Sequence, residues 1–240
     1  MLKMLRCHIC PVSYEVDRVL LPLLEMRADK AHLVTKAKRA GVDKAESILQ
    51  RIERGAREEG IRTERRGCDI TDFHDCIRVV GGLMDAEMKD GNLIFVNISS
   101  GGRVLSHASA VAGMMWGARL YYAQPEVDDR ETREFTRGLK QVSEMPTFSI
   151  DRPGDDSLGI LASVDDAGGR TTKKRLIAWL HEQRIIKPGT MSRQAEYQVL
   201  KRFLDSMVEK GWLEVKGETR SSRVLLTKDG SLILKAFGRH

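Results

Sequence analysis

Residues 93–103, LIFVNISSGGR, constrain this chain more than any other stretch. LIFVNI is a nearly continuous apolar run, the signature of a central strand buried on both faces. Two glycines follow. Residues 102–116 then read as a helix rich in Ser, Ala and Gly, which can lie close against a sheet. Residues 118–123 (ARLYYA) read as a further strand. A doubly buried strand, a tight turn, a close-packed helix and another strand call for a parallel sheet.

The same alternation runs back to the start of the chain. Residues 4–10, 31–35 and 61–68 read as strands, the third more polar than the others. Residues 14–27 and 42–59 read as helices, with Gly60 as the stop of the second. A helix capped by Asp69 or Thr71 runs to about Lys89. The expected fold class of this half is α/β: Rossmann-like, with a mostly parallel sheet and helices on both faces. Residues 141–150 supply a helix end and an edge strand.

Beyond residue 150 the pattern changes. Residues 151–157 (DRPGDDS) read as loop and 165–170 (DDAGGR) as the best linker segment. The expected domains are therefore 1–150 for the sheet, 151–169 for the linker and 170–240 for a second domain. In the latter, 171–184 reads as an amphipathic helix and Pro188-Gly189 as a break. Ser192 caps a long helix that Gly211 stops. Residues 212–215 and 223–226 read as short strands joined by the polar hairpin 216–222, and a last helix starts near Lys228. That order, helix, turn, helix, basic hairpin, helix, is a winged helix-turn-helix.

Charge divides the chain along the same line. Residues 170–240 hold 16 Lys+Arg against 7 Asp+Glu, and the remaining 169 residues hold 24 against 27. The basic excess belongs to the second domain, which fits a polyanion partner there. A solvated Lys-rich domain gives the same count. Residues 1–11 are too short and interrupted for a signal peptide. The apolar stretch 104–122 carries His107 and Arg119 and reads as helix plus strand, not a membrane span. Four cysteines offer no disulfide framework, so a cytoplasmic location is expected. Cys7 and Cys10 form a C-x-x-C that Cys68 and Cys76 could complete as a metal set. However, residues three apart on a strand point to opposite faces. The expectation is four buried thiols, no metal and no cofactor.

The turn after the central strand is the expected ligand site. In open α/β sheets ligands bind at the carboxyl ends of the strands. Gly101 and Gly102 let the backbone approach a ligand, the helix start offers free N–H groups and partial positive charge, and Ser99, Ser100 and Arg103 add donors. The motif is neither a Walker loop nor G-x-G-x-x-G, which argues against an ordinary NTPase or dehydrogenase. A tight turn with packing glycines is the alternative. The exit of the first strand, with Pro11, Ser13, Tyr14 and Glu15, lies nearby if the strands are neighbours, although Ser13 could simply cap the helix. His107, one turn after Arg103, is read as a satisfied side chain rather than a catalytic one.

The stretches VNISSGGR, MMWGARLYYAQPE and PVSYEVDRVLLPLL resemble the CARF domains (CRISPR-associated Rossmann fold). With the second domain included, the chain is similar to archaeal regulators joining such a domain to a winged helix. That resemblance implies a homodimer with a two-fold pocket for cyclic oligoadenylate. It places Asn97, Ser99, Ser100, Gly101, Gly102 and Arg103 on the ligand, with 11–15 beside them. Lys is also common in the family where this chain has Arg103. Some members cleave their ligand, so a metal-independent ring nuclease is an alternative to a regulator that only binds.

For the second domain the expected partner is double-stranded DNA. On 192–210 the helical pattern puts Ala195, Val199, Leu200, Phe203, Leu204, Met207 and Val208 on one side. Gln194, Gln198, Lys201, Arg202 and Asp205 fall opposite, as a recognition helix requires. Ser192 and Arg193 sit at its start. The wing adds Lys216, Arg220, Ser221, Ser222 and Arg223. A winged helix that docks on protein is the competing reading. The function expected is a ligand-responsive DNA-binding transcription regulator.

Overall fold

The structure, a computed structural model, describes residues 4–37, 46–128, 136–187, 189–217 and 222–238. The chain divides into two compact units, Met1–Asp151 and Arg152–His240.

In the first unit the strands are β1 (Arg6–Pro11), β2 (Lys30–Lys36), β3 (Arg62–Cys68), β4 (Leu93–Asn97), β5 (Arg119–Gln124), β6 (Val127–Asp128), β7 (Thr136–Arg137) and β8 (Gln141–Met145). The helices are α1 (Asp17–Glu25), α2 (Glu46–Glu58), α3 (Phe73–Lys89) and α4 (Arg103–Trp116). The sheet order is β3-β2-β1-β4-β5-β8. All neighbours are parallel except β8, which runs antiparallel to β5. This is the Rossmann-like, mostly parallel sheet that the alternation predicted. Order explains composition: β1 and β4 sit centrally, where Ile9 and Val96 are fully buried. The edge strand β3 carries Arg62, Glu64, Arg65 and Arg66, charges that blunt an edge. Helix α1 packs on α2, and α3 on α4. The cap of α3 is Asp72, which accepts from the His74 and Asp75 N–H groups, in place of the expected Asp69 or Thr71. Residues 42–45, the expected start of α2, lie outside the described residues.

The second unit contains α5 (Asp155–Asp166), β9 (Arg170–Thr172), α6 (Lys173–Glu182), α7 (Arg193–Glu209), β10 (Leu213–Lys216), β11 (Arg223–Leu226) and α8 (Lys228–Phe237). Its sheet has the order β10-β11-β9, antiparallel throughout. The winged helix is therefore present, with two corrections. Residues 151–169 are not simply a linker: α5 buries Ile160, Leu161 and Val164 in the same core as Leu176, Leu180, Leu200, Leu204 and Val224. Residues 170–172 are a third sheet strand, not the start of the helix over 171–184. Thr172 instead caps α6 by accepting from the Arg175 N–H. Gly159 sits inside α5 because a Cβ there would lie 2.6 Å from the Trp179 ring.

Candidate ligand site at the strand exits

Residues 11–15 and 97–103 come together because β1 and β4 are adjacent and parallel, so both release their chains at the same sheet edge. The contact is close. Gly101 has φ +97°, and a Cβ built there would stand 2.2 Å from the Pro11 Cβ. Only glycine supplies both the positive φ and the missing atom. Beside this contact the Ser13 and Ser100 hydroxyls are 3.1 Å apart.

The polar residues of the motif separate into two groups. Asn97 is fully buried. Its Nδ2 donates to the Arg18 carbonyl at 2.8 Å, and its Oδ1 accepts from the Ser99 N–H at 2.8 Å. Ser99 is also buried, and its Oγ accepts from the Ala123 N–H at 2.6 Å. These two side chains tie β4 to α1 and β5. Ser106 adds a further tie, donating to the Ile98 carbonyl at 2.7 Å.

The second group faces outward. Gly102 is exposed, with φ +76° and ψ 165°, and forms the N-cap of α4 without a side-chain cap. No acidic residue lies in the first turn of α4, and Arg103, exposed, is its first residue. By contrast α3, α6, α7 and α8 each start under a capping Asp, Thr or Ser side chain, and α1 and α5, also without a side-chain cap, carry Asp17 or Asp155 and Asp156 in their first turns. The start of α4 thus keeps its helix-dipole charge uncancelled, with a guanidinium beside it. Tyr14 is 51% exposed. Glu15 accepts from the Thr136 Oγ1 at 2.8 Å and lies 3.5 Å from Arg18. The Gly138 N–H donates to Asp17 at 2.8 Å, so the segment after β7 also seats on the start of α1. His107 donates its Nδ1–H to the Arg103 carbonyl at 2.6 Å, the satisfied role expected of it.

Sequence reasoning missed Arg18 and Tyr122. The Arg18 guanidinium lies 4.9 Å from the centre of the Tyr122 ring, and Tyr122 follows the Tyr121 carbonyl that receives the Ile98 N–H. The signal was the tyrosine pair in ARLYYA: on a strand one of the two must face away from the core. Tyr121 is buried and Tyr122 partly exposed.

In the second unit α7 presents Arg193, Gln194, Gln198, Lys201 and Arg202 to solvent, and buries Leu200, Leu204 and Met207. Val208, expected inside, is 42% exposed. Ser192 spends its Oγ on the Ala195 N–H as the cap of α7. Lys201 pairs with Asp205 at 2.8 Å, and Lys216 with Glu214 at 3.4 Å, all exposed. Arg223 is exposed, but Ser222 is buried and withdrawn from the wing surface. Arg220 and Ser221 lie outside the described residues.

All four cysteines are buried, as expected. They do not form one cluster: Cys10 lies 3.9 Å from the Tyr121 hydroxyl, and Cys68 lies 3.9 Å from Cys76. Among the described residues no helix is long and apolar enough to cross a membrane.

The family model described as HFX_2341_N:-like, N-terminal matches residues 6–128. That described as DUF6293 C-terminal winged helix domain matches residues 156–238. The second match agrees with the winged helix expected of the C-terminal domain. An uncharacterized protein of Methanocaldococcus jannaschii is 21% identical over 221 residues, covering 81% of this chain and 66% of its own. Among solved structures, Can2 from Sulfobacillus thermosulfidooxidans, in complex with cyclic tetra-adenylate, is 10% identical with a TM-score of 0.46. It covers 96% of this chain and 61% of its own. Enterococcus italicus Csm6, bound to cyclic hexa-2'-fluoro-hexa-dAMP, is 13% identical with a TM-score of 0.42, covering 88% and 57%. The chain spans less than two thirds of the length of each of these three relatives.

Proposed function

The chain belongs to the HFX_2341_N:-like family and carries a DUF6293 winged helix domain, and from that premise we propose that it is a ligand-responsive DNA-binding regulator. A nucleotide second messenger of the cyclic oligoadenylate class binds the first domain, and the winged helix binds double-stranded DNA. The observation that carries the sensor half is the uncapped start of α4, with Gly102 exposed, Arg103 beside it and the Ser13 and Ser100 hydroxyls next to the turn. Free N–H groups, a helix dipole and a guanidinium favour a phosphate. The adenylate class follows from the CARF resemblance rather than from the geometry. Tyr14, exposed and next in sequence to Ser13, offers a ring on which a base can stack.

For the second half, support comes from the polar outer face of α7 and the local excess of basic residues. A homodimer would place two such helices on a pseudo-palindromic site. Ligand and DNA then communicate through a coupling energy of about 1–3 kcal/mol, or 5–150-fold in affinity.

The test is calorimetric titration of the full chain with cyclic tetra-adenylate, using a linear oligoadenylate as control. Saturable binding near one cyclic ligand per dimer is expected, followed by a ligand-dependent change in DNA affinity. Equal binding of the linear control, or none of either, refutes the sensor half. DNA affinity that does not fall with salt refutes the other.

A further inference from the structure

A second cluster lies at the opposite, N-terminal edge of the same sheet, where β1, β2 and β4 begin. Cys7 stands opposite Lys30 in the β1–β2 register, and His32 is two residues further on the same face of β2. Glu87, near the end of α3, reaches down to them. Cys7 Sγ, a His32 ring nitrogen and a Glu87 carboxylate oxygen all lie within 4.8 Å of one another, and all three residues are buried.

The geometry points to a divalent-cation site in this cluster, with Cys7, His32 and Glu87 as protein ligands and zinc, or a cation of the same borderline class, as occupant. Thiolate, imidazole and carboxylate are the donors such ions take, and three protein ligands leave one position open. A second observation supports the assignment. His32 Nε2 lies 2.7 Å from Glu87 Oε1, yet the buried Nδ1 of the same ring has no hydrogen-bond partner. Glu64 Oε2 stands 3.7 Å from that Nδ1, just out of reach. A cation taken by Nε2 moves the ring proton to Nδ1, where the Glu64 carboxylate can close on it. A metal-bound histidine commonly donates its other N–H to a carboxylate in this way.

The outer groups are arranged accordingly. Asn92 Nδ2 holds Glu87 Oε2 at 2.6 Å. Lys30 Nζ lies 2.8 Å from Glu87 Oε1 and 2.9 Å from Glu64 Oε1. Cation binding releases Lys30 from Glu87 to Glu64, and expels one proton as the Cys7 thiol becomes a thiolate. The site would clamp β1 and β2 to α3, and it shares no residue with the Ser100–Arg103 turn.

The competing account is a metal-free ion-pair network centred on Glu87, and one experiment decides. The full chain is stripped with chelator, titrated with Zn2+ alone, and loaded separately with Co2+ for absorption spectroscopy. The expected result is one Zn2+ per chain, close to one proton released, a rise in Tm and a thiolate-to-cobalt charge-transfer band. Cys7→Ser should abolish the band, while Cys68→Ser keeps it. Glu64→Gln, which keeps the size of this half-buried side chain and an accepting oxygen for Lys30 and Arg66, should weaken Zn2+ binding by about 10–100-fold. No stoichiometric binding by the wild-type chain, no thiolate band, or a band that survives Cys7→Ser overturns the proposal and leaves the ion-pair network. The wild-type measurements stand even if Cys7→Ser does not fold.

Discussion

Replacing Gly101 by alanine tests the proposed ligand site at its tightest point. Two separate costs follow from the structure. The first is conformational: φ +97° lies in the region that L residues rarely occupy, which costs about 1–3 kcal/mol. The second is steric: the new Cβ would meet Pro11 Cβ at 2.2 Å, Pro11 Cα at 3.1 Å and Pro11 C at 3.2 Å. Pro11 ends a central strand paired on both sides and cannot readily give way. Overpacking of this kind costs about 1–3 kcal/mol. Gly102→Ala provides the control, because its φ is +76° but nothing lies within 4 Å of its Cβ position. It carries the first cost without the second. Gly101→Ala should therefore destabilise the first domain by about 1–3 kcal/mol more than Gly102→Ala. Amide exchange of β1 and β4 reads this domain separately from the winged helix. If the loop instead escapes the clash by moving off Pro11, the Ser13–Ser100 pair separates and cyclic oligoadenylate affinity falls while stability holds. Equal stability and equal affinity in the two variants would refute the close seating of this turn.

Three further outcomes are expected. Arg103→Ala should leave stability unchanged, since the side chain is exposed, yet weaken cyclic tetra-adenylate binding by roughly 10–150-fold in calorimetry, the worth of a charge-assisted hydrogen bond at about 1.5–3 kcal/mol. Lys201→Ala combined with Arg202→Ala should make the plot of log affinity for DNA against log salt shallower by about 1–2 units, and an unchanged slope would remove α7 from the interface. His8, buried against Phe95 at 4.8 Å between ring centres, is pushed down from 6.5 to about 3 by burial and by Arg6. It stays neutral in the folded chain while the unfolded chain takes up a proton below pH 6.5, so folding stability should fall as pH drops from 6.5 toward 3. In urea titrations of chelator-treated protein, His8→Gln should flatten that fall, and an equally steep fall would assign it to other groups.

What could be read from the sequence depended on how local the cause was. The central strand β4 was legible because burial on both faces writes itself into consecutive residues. The turn was legible because glycine pairs before a small-residue helix have few other uses. Helix α5 was not. Asp155, Asp156 and Ser157 read as loop, and Gly159, inside the helix, is there for the Trp179 ring, twenty residues away. Strand β9 is three residues long, and its partners are residues 223–225. The roles of Asn97 and Ser99 were hidden for the same reason. Both stand in the right motif, but their partners, the Arg18 carbonyl and the Ala123 N–H, come from other elements. A polar residue at a strand exit can serve the ligand or the fold, and only the partner decides.

That division bears on how such a turn works. A phosphate cradle must hold its shape before the ligand arrives, because ordering a loop on binding costs affinity. Here Asn97, Ser99 and Ser106 use their side chains on the backbone of the turn and of its neighbours, and Gly101 wedges it against Pro11. The outward groups, Gly102, Arg103 and the first N–H groups of α4, are then held in place with no side-chain cap competing for them. Under this account the inward residues set affinity without touching the ligand. Asn97→Ala should reduce cyclic tetra-adenylate binding by loosening the turn, and faster amide exchange at Ser99 should accompany the loss. A loss of binding with unchanged exchange would return Asn97 to the ligand itself.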